Sequence, residues 1–241
     1  MSNSFPLANH LIIFTGTSVP QTVIQKASDL GARTVRHPLI QISPTSHAVP
    51  DFVNEHWKEY EWIIFTSGHA VRIFHAIVAN RPVHAKIAVV GEKTKTKLET
   101  LGYTISFMPS TYNATTFVEE FPYTTKRVLF VKGNLASDLI PTKLPSEVDE
   151  WEIYNTTSNP AELKKFRTTI AENKSSAIIV VLGSPSAARQ LQKVLPIDST
   201  IELASIGNVT TKALREIGYH VTYQPEKFTW ENILQEIVYR K

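Results

Sequence analysis

The chain contains no cysteine, so disulfides, thiolate nucleophiles and Cys-based zinc or iron–sulfur sites are excluded, and a reducing compartment costs it nothing. No apolar run approaches the roughly 20 residues that span a bilayer, and Met1 to His10 lacks the basic region and long apolar core of a signal peptide. These absences predict a cytoplasmic protein with no membrane partner. A net charge of +3 without a clustered Lys/Arg run argues against nucleic acid and is compatible with an acidic small molecule. Neither GxxxxGK[ST] nor GxGxxG occurs, so the usual backbone cradles for nucleotides and dinucleotides are missing, and without a GxSxG elbow the α/β-hydrolase reading falls away. The eight histidines are scattered, and His69 and His75, six apart, would not share a helical face, so no metal site is expected.

What the chain does have is a copy of itself. Val89-Val90-Gly91-Glu92-Lys93-Thr94 opens a segment through Leu98, Gly102-Tyr103 and Pro109; Ser205-Ile206-Gly207-Asn208-Val209-Thr210 opens another through Leu214, Gly218-Tyr219 and Pro225, 116 positions later. Upstream, Thr66-Ser67-Gly68-His69-Ala70 is echoed by Gly183-Ser184-Pro185-Ser186-Ala187, and Phe14-Thr15-Gly16 by Val131-Lys132-Gly133, both at a spacing of 117. Solenoid repeats run roughly 20 to 50 residues, so this period marks a domain duplication. At 241 residues, 42% hydrophobic and 20% charged, the chain suits a globular protein in which each lobe can bury its own core.

Short apolar runs at Leu11 to Phe14, Trp62 to Phe65, Ile87 to Val90, Val128 to Val131, Ile178 to Leu182 and Leu203 to Ile206 read as strands buried on both faces, as a parallel sheet covered by helices requires. Helical stretches lie between them. Val23, Ile24, Ala27 and Leu30 form one apolar stripe, with Ser18 and Pro20 as cap and first turn and Gly31 as stop, and the segments after Thr94 and Thr210 end at Gly102 and Gly218. The fold class is therefore α/β, with two doubly wound parallel-sheet lobes. The segments near 38–44 and 151–160 are bounded by prolines and read as extended chain. Side by side they would form a two-stranded connector, with the chain leaving its first lobe and later returning; periodicity alone leaves a simple tandem equally open.

Small hydroxyl residues and glycine gather at the strand ends: Thr15 with Gly16, Thr66-Ser67-Gly68, Gly91 with Thr94, Gly133-Asn134, Ser184-Pro185-Ser186, and Gly207 with Thr210. In a doubly wound sheet the ligand crevice lies outside the carboxyl ends of the strands, and free N–H groups at helix starts suit anions. Helix capping selects the same residue types, and a loop can cap its helix while presenting other N–H groups to a ligand. Lys132 reads either as an anion ligand or as a solvated charge, and Tyr154 either as a site residue or as ordinary strand packing.

In order and spacing these elements resemble the uroporphyrinogen-III synthase family over essentially the whole chain. Phe65-Thr66-Ser67-Gly68-His69-Ala70-Val71 is similar to the family's F-T-S-P-N-A-V element, with Gly68 in place of its proline. Val128 to Leu135 resembles the strand that ends in a basic or small residue, Gly and Asn; Glu152-Ile153-Tyr154-Asn155-Thr156 resembles the V-Y-x-T connector. Gly183-Ser184-Pro185-Ser186-Ala187 resembles the second S-P-S element, with Leu182-Gly183 replacing Phe-Thr, and Ile206 to Leu214 resembles I-G-x-x-T-x-x-A-L.

The resemblance implies the connector arrangement: a first lobe of residues 1–37 plus 159–241 and a second of 42–154. It implies cyclisation of hydroxymethylbilane, which bears eight carboxylates, to uroporphyrinogen III with loss of water and inversion of ring D through a spiro intermediate. No cofactor is implied, which agrees with the lack of nucleotide, dinucleotide and metal motifs in the sequence. Tyr154 is implied as the group assisting the departing hydroxyl, with Thr15, Thr66, Ser67, Gly68, Gly91, Thr94, Gly133, Asn134, Ser184, Pro185, Ser186, Gly207 and Thr210 holding substrate. A monomer and a transient hand-over from hydroxymethylbilane synthase complete the expectation. The competing class is a non-catalytic two-lobed binding protein for an acidic small molecule; a receiver-type lobe would need carboxylates at strand ends that Phe14-Thr15-Gly16 and Phe65-Thr66-Ser67 lack.

Overall fold

The structure, a computed structural model, describes residues 5–79, 81–122 and 124–241; the first four residues of the expected N-terminal lobe and Tyr123, midway between the repeats, lie outside them. The chain forms two compact units, residues 1–41 with 157–241 and residues 42–156. The first opens with β1 (His10–Phe14), α1 (Gln21–Asp29) and β2 (Arg33–Arg36), and β3 (Ile40–Pro44) carries the chain onward. The second contains α2 (Asp51–Glu55), β4 (Trp62–Phe65), α3 (Gly68–Val78), β5 (Lys86–Val89), α4 (Glu92–Thr100), β6 (Ile105–Phe107), α5 (Ala114–Glu120), β7 (Val128–Gly133) and α6 (Leu139–Lys143). The long β8 (Val148–Ser158) returns the chain to α7 (Pro160–Glu172), β9 (Ala177–Leu182), α8 (Pro185–Leu191), β10 (Glu202–Ser205), α9 (Asn208–Glu216) and α10 (Trp230–Tyr239).

The continuous apolar runs do what a sheet with two covered faces demands. In the first unit, Leu11, Ile13, Val180 and Leu182 enter one apolar cluster, while Ile12, Phe14, Ile179 and Val181 enter another on the opposite face. Side chains alternate along a strand, so one unbroken apolar run feeds both layers. The second unit repeats the device, with Ile63, Phe65, Leu129 and Val131 on one face and Trp62, Ile64, Val128 and Phe130 on the other.

The first sheet has the order β10-β9-β1-β2 and the second β3-β8-β7-β4-β5-β6. Every pairing with a recorded register is parallel. The bonds from Thr45 N–H to Ile153 O and from Asn159 N–H to Leu39 O step in opposite directions along the chain, so β3 and β8 run antiparallel, and both crossings between the units fall on this pair. The duplication is visible in the orders themselves: β10-β9-β1-β2 corresponds to β5-β4-β7-β8. In each sheet the sequence direction reverses at the middle pair, β9/β1 or β4/β7, and such switch points open the crevice in which α/β sheets hold ligands.

Two local readings differ from the sequence. Pro20, not Ser18, is the N-cap of α1 and no side chain caps that helix. Strands β2 and β6 carried no apolar run because each is an edge strand with no fully buried residue, unlike the edge strand β10, most of which is buried. Gly31, Gly102 and Gly218 all take positive φ (94°, 86° and 94°) just beyond their helices, the left-handed stop that favours glycine.

Candidate functional site

In the second unit, Thr66, Ser67 and Gly68 follow β4 and Gly133-Asn134 closes β7, so these residues flank the β4/β7 switch point. Tyr154 reaches them from β8, whose register with β7 shifts between Lys132 and Gly133 so that Gly133 stands opposite Tyr154. A Cβ at Gly133 would lie 2.7 Å from the tyrosine hydroxyl, so glycine is required there for space. The Tyr154 hydroxyl donates to Ser67 Oγ at 3.0 Å, and the His69 backbone N–H donates to the same oxygen at 3.1 Å. A serine hydroxyl has two acceptor lone pairs and one proton. With both lone pairs engaged, the Ser67 O–H is left to an outside acceptor. Burial raises the Tyr154 pKa despite the opposing bond to Ser67, so the phenol keeps its proton at neutral pH.

The first unit places Thr15 and Gly16 after β1 and Gly183 through Ser186 after β9, around its own switch point. An aromatic covers that point too. A Cβ on Gly16 would come within 2.7 Å of Trp230 Cη2 and one on Gly183 within 2.9 Å of its Cζ2. The two duplicated positions thus both carry a ring against glycine, but only Tyr154 brings a hydroxyl.

The four helices that begin at these strand ends divide into two kinds. Ser67 caps α3, and Ser184 caps α8 by accepting from Ala187 N–H at 3.2 Å while pairing with Ser186 Oγ at 3.0 Å. There the capping reading holds. Pro185 is the first residue of α8, a position that needs no N–H. At α4 and α9 the caps are Gly91 and Gly207, which bring no side chain to the helix start. Thr94 and Thr210, one turn in, are only 6% and 4% exposed, and neither hydroxyl has a hydrogen-bond partner among the described residues. Unpartnered hydroxyls at glycine-capped helix starts are suited to a carboxylate.

Some expected residues are otherwise engaged. Thr15 is fully buried and its hydroxyl donates to Val181 O at 2.9 Å, stitching β1 to β9. Asn134 uses its side chain on the Thr156 backbone, accepting from the N–H at 2.8 Å, and its own N–H bonds to Tyr154 O at 3.1 Å, so it fixes β8 beside Gly133. Lys132 is neither solvated nor free. It is buried, bonded to Glu150 and 3.4 Å from Asp138, and although burial opposes its charge, the two carboxylates outweigh this and raise its pKa. Among the described residues no cluster of His, Cys, Asp or Glu could hold a metal ion, and no helix is long and apolar enough to cross a membrane.

The fold and the site together define a duplicated, doubly wound α/β protein whose polar and hydroxyl groups gather at the strand carboxyl ends of each unit. The family model described as uroporphyrinogen-III synthase HemD matches residues 21–235, and the chain belongs to that family of lyases. A curated uroporphyrinogen-III synthase of Chlorobaculum parvum is 26% identical over 223 residues, covering 85% of this chain and 88% of that one. The porphyrin biosynthesis protein HemD of Ruminiclostridium josui is 25% identical over 90% of this chain, which spans about half (45%) of that relative's length. Among solved structures, a mutant uroporphyrinogen III synthase from the extremely thermophilic bacterium Thermus thermophilus superimposes with a TM-score of 0.71 at 15% identity, covering 94% of this chain and 96% of that one. The enzyme from Helicobacter pylori gives 0.65 at 16%, covering 96% and 100%. These two likenesses speak to the fold.

Proposed function

We propose that this protein converts hydroxymethylbilane to uroporphyrinogen III, closing the linear tetrapyrrole with inversion of ring D and loss of water. The family match over residues 21–235 carries the reading. The geometry supports the division of labour. The glycine-capped starts of α4 and α9, with Thr94 and Thr210, hold substrate carboxylates. Holding a flexible chain by its carboxylates favours one closure over another through orientation and lost entropy.

The Tyr154–Ser67 pair assists the departing hydroxyl. Ser67 O–H faces the leaving oxygen, and Tyr154 polarises it from behind. With its pKa raised, the phenol acts by hydrogen bonding more than by full proton transfer. In the second unit Thr66, Gly68, Gly91 and Gly133 shape the loops around these groups and Asn134 supports them; in the first unit Ser184, Ser186 and Gly207 shape the loops at its own strand ends, supported by Thr15 and Pro185. The pyrroles supply the electrons for every bond made, so the residues on hand suffice. The protein works as a cytoplasmic monomer that takes its substrate from hydroxymethylbilane synthase.

The test is to give the purified protein freshly made hydroxymethylbilane, with chelator present, and resolve the type I and type III isomers. The expected product is mainly type III. Product no richer in type III than the enzyme-free control would overturn the reading in favour of a non-catalytic binding protein.

A further inference from the structure

Beside the proton that helps the hydroxyl leave, the reaction releases a second one later. When the macrocycle closes, the unsubstituted α-carbon of ring D forms a bond to the cationic methylene, and its C–H bond must then break so that the pyrrole regains its aromatic electrons. Some group has to take that proton.

Histidines are the natural place to look, because a neutral imidazole accepts a proton near pH 7. His10, His37, His56 and His75 each bond to a neighbouring group through a ring nitrogen. His47, His84 and His220 are exposed. His69 differs from both sets. It sits in the first turn of α3, directly after the β4 strand end, half-buried, with its ring centroid 5.9 Å from that of Tyr154. No hydrogen-bond partner for its ring exists among the described residues, and its backbone N–H holds Ser67 Oγ in place.

We propose that His69, the half-buried and unpartnered imidazole beside Tyr154, is the base that accepts the proton lost from ring D at closure. The role rests on the synthase reading and adds a second catalytic group to it. The step balances: a C–C bond forms, a C–H bond breaks, its electron pair stays in the pyrrole, and the proton moves to a ring nitrogen. One proton enters with the departing hydroxyl and one leaves from ring D, so one water is lost in all. The ionisable side chains set against His69 are Arg72 on its own helix and Tyr154 on β8. Burial first, and then the Arg72 charge, lower its pKa below the ordinary 6.5, so it is neutral and ready to accept at pH 7. Adjacent groups whose pKa values are pushed apart, as here with Tyr154 raised, are the usual sign of divided acid and base roles.

The experiment compares wild type, His69→Gln and His69→Ala for type III formation across pH, product affinity and thermal stability. Wild-type kcat/KM should rise with pH through a midpoint below 6.5, since the base must be deprotonated, and then level off. In His69→Gln that acid limb should vanish and turnover should drop about a hundredfold, within the usual span for general base catalysis, with product affinity changed less than about twofold. Added imidazole should partly restore His69→Ala. Full turnover in His69→Gln, or a loss with the acid limb intact and no imidazole rescue, would overturn the base role while leaving the synthase reading standing. A wild type that makes no type III excess would overturn the synthase reading and this role with it.

Discussion

Tyr154 lies against Gly133 so closely that a methyl group on residue 133 would stand 2.7 Å from the phenolic oxygen. Gly133→Ala is therefore expected to push the ring off Ser67. It should lower stability by about 1–3 kcal/mol, the usual cost of overpacking, and lower turnover as well. Adding Tyr154→Ala should recover most of the stability but none of the turnover. Thermal unfolding and the isomer assay read the two effects separately; a Gly133→Ala protein unchanged in both would show that the ring is not held there.

Tyr154→Phe keeps the ring and removes only its hydroxyl. Turnover should fall roughly 10- to 100-fold, at the low end for acid–base groups because the bond to Ser67 is polarising and not a full transfer. Affinity for the product should stay close to wild type. Full turnover in this variant would reduce Tyr154 to strand packing.

The threonines separate by where their hydroxyls go. Thr94→Ala and Thr210→Ala should each weaken product binding about 3- to 10-fold, the worth of a hydrogen bond to the ligand. Thr15→Ala loses the bond to Val181 O and should cost about 1 kcal/mol of stability without changing affinity. Titration calorimetry on the three variants decides it: equal losses of affinity would contradict the assignment.

Glu162 offers a pH test away from the site. Its pKa is held below the ordinary 4.5, first by Lys165 and then, after an opposing contribution from burial, by His37. A depressed carboxylate pKa stabilises the fold above 4.5, and the contribution fades as pH falls through the lowered value. Glu162→Gln should thus unfold at lower temperature than wild type at pH 7, with the gap closing below pH 4.5. A gap independent of pH would mean the charge contributes nothing.

We also propose that residues 42–156 fold alone. They contain two apolar clusters of their own, and domains fold as units where few contacts cross their boundaries. A fragment of 1–120 lacks β7 from the middle of one sheet and β9 and β10 from the other. Calorimetry should show a cooperative transition for the first fragment and none for the second.

The central strands were legible because an unbroken run such as Ile178 to Leu182 has one explanation, burial on both faces. Arg33–Arg36 and Ile105–Phe107 were not, since an edge strand needs no such run. The strand-end hydroxyls were readable as a group, but their separate roles were not. Ser67 and Thr94 look alike in sequence. What distinguishes them is that one accepts from a tyrosine 87 positions away while the other has no partner among the described residues. Gly16 and Gly133 were aligned by the repeat, yet nothing in the sequence names Trp230 and Tyr154 as the rings they make room for.

β1 pairs residue by residue with β9, His10 opposite Ala177, although the whole second unit lies between them in the chain. During synthesis the first unit's opening strand therefore emerges long before its neighbour exists, while residues 42–156 are already complete. At about 5–20 residues per second the wait is on the order of 8 to 30 s. For that interval β1 has only β2 beside it, and its other side is an unpaired apolar edge. The unit that is translated first is the one that must fold last, and a slowed ribosome or a missing chaperone should harm it before it harms the other.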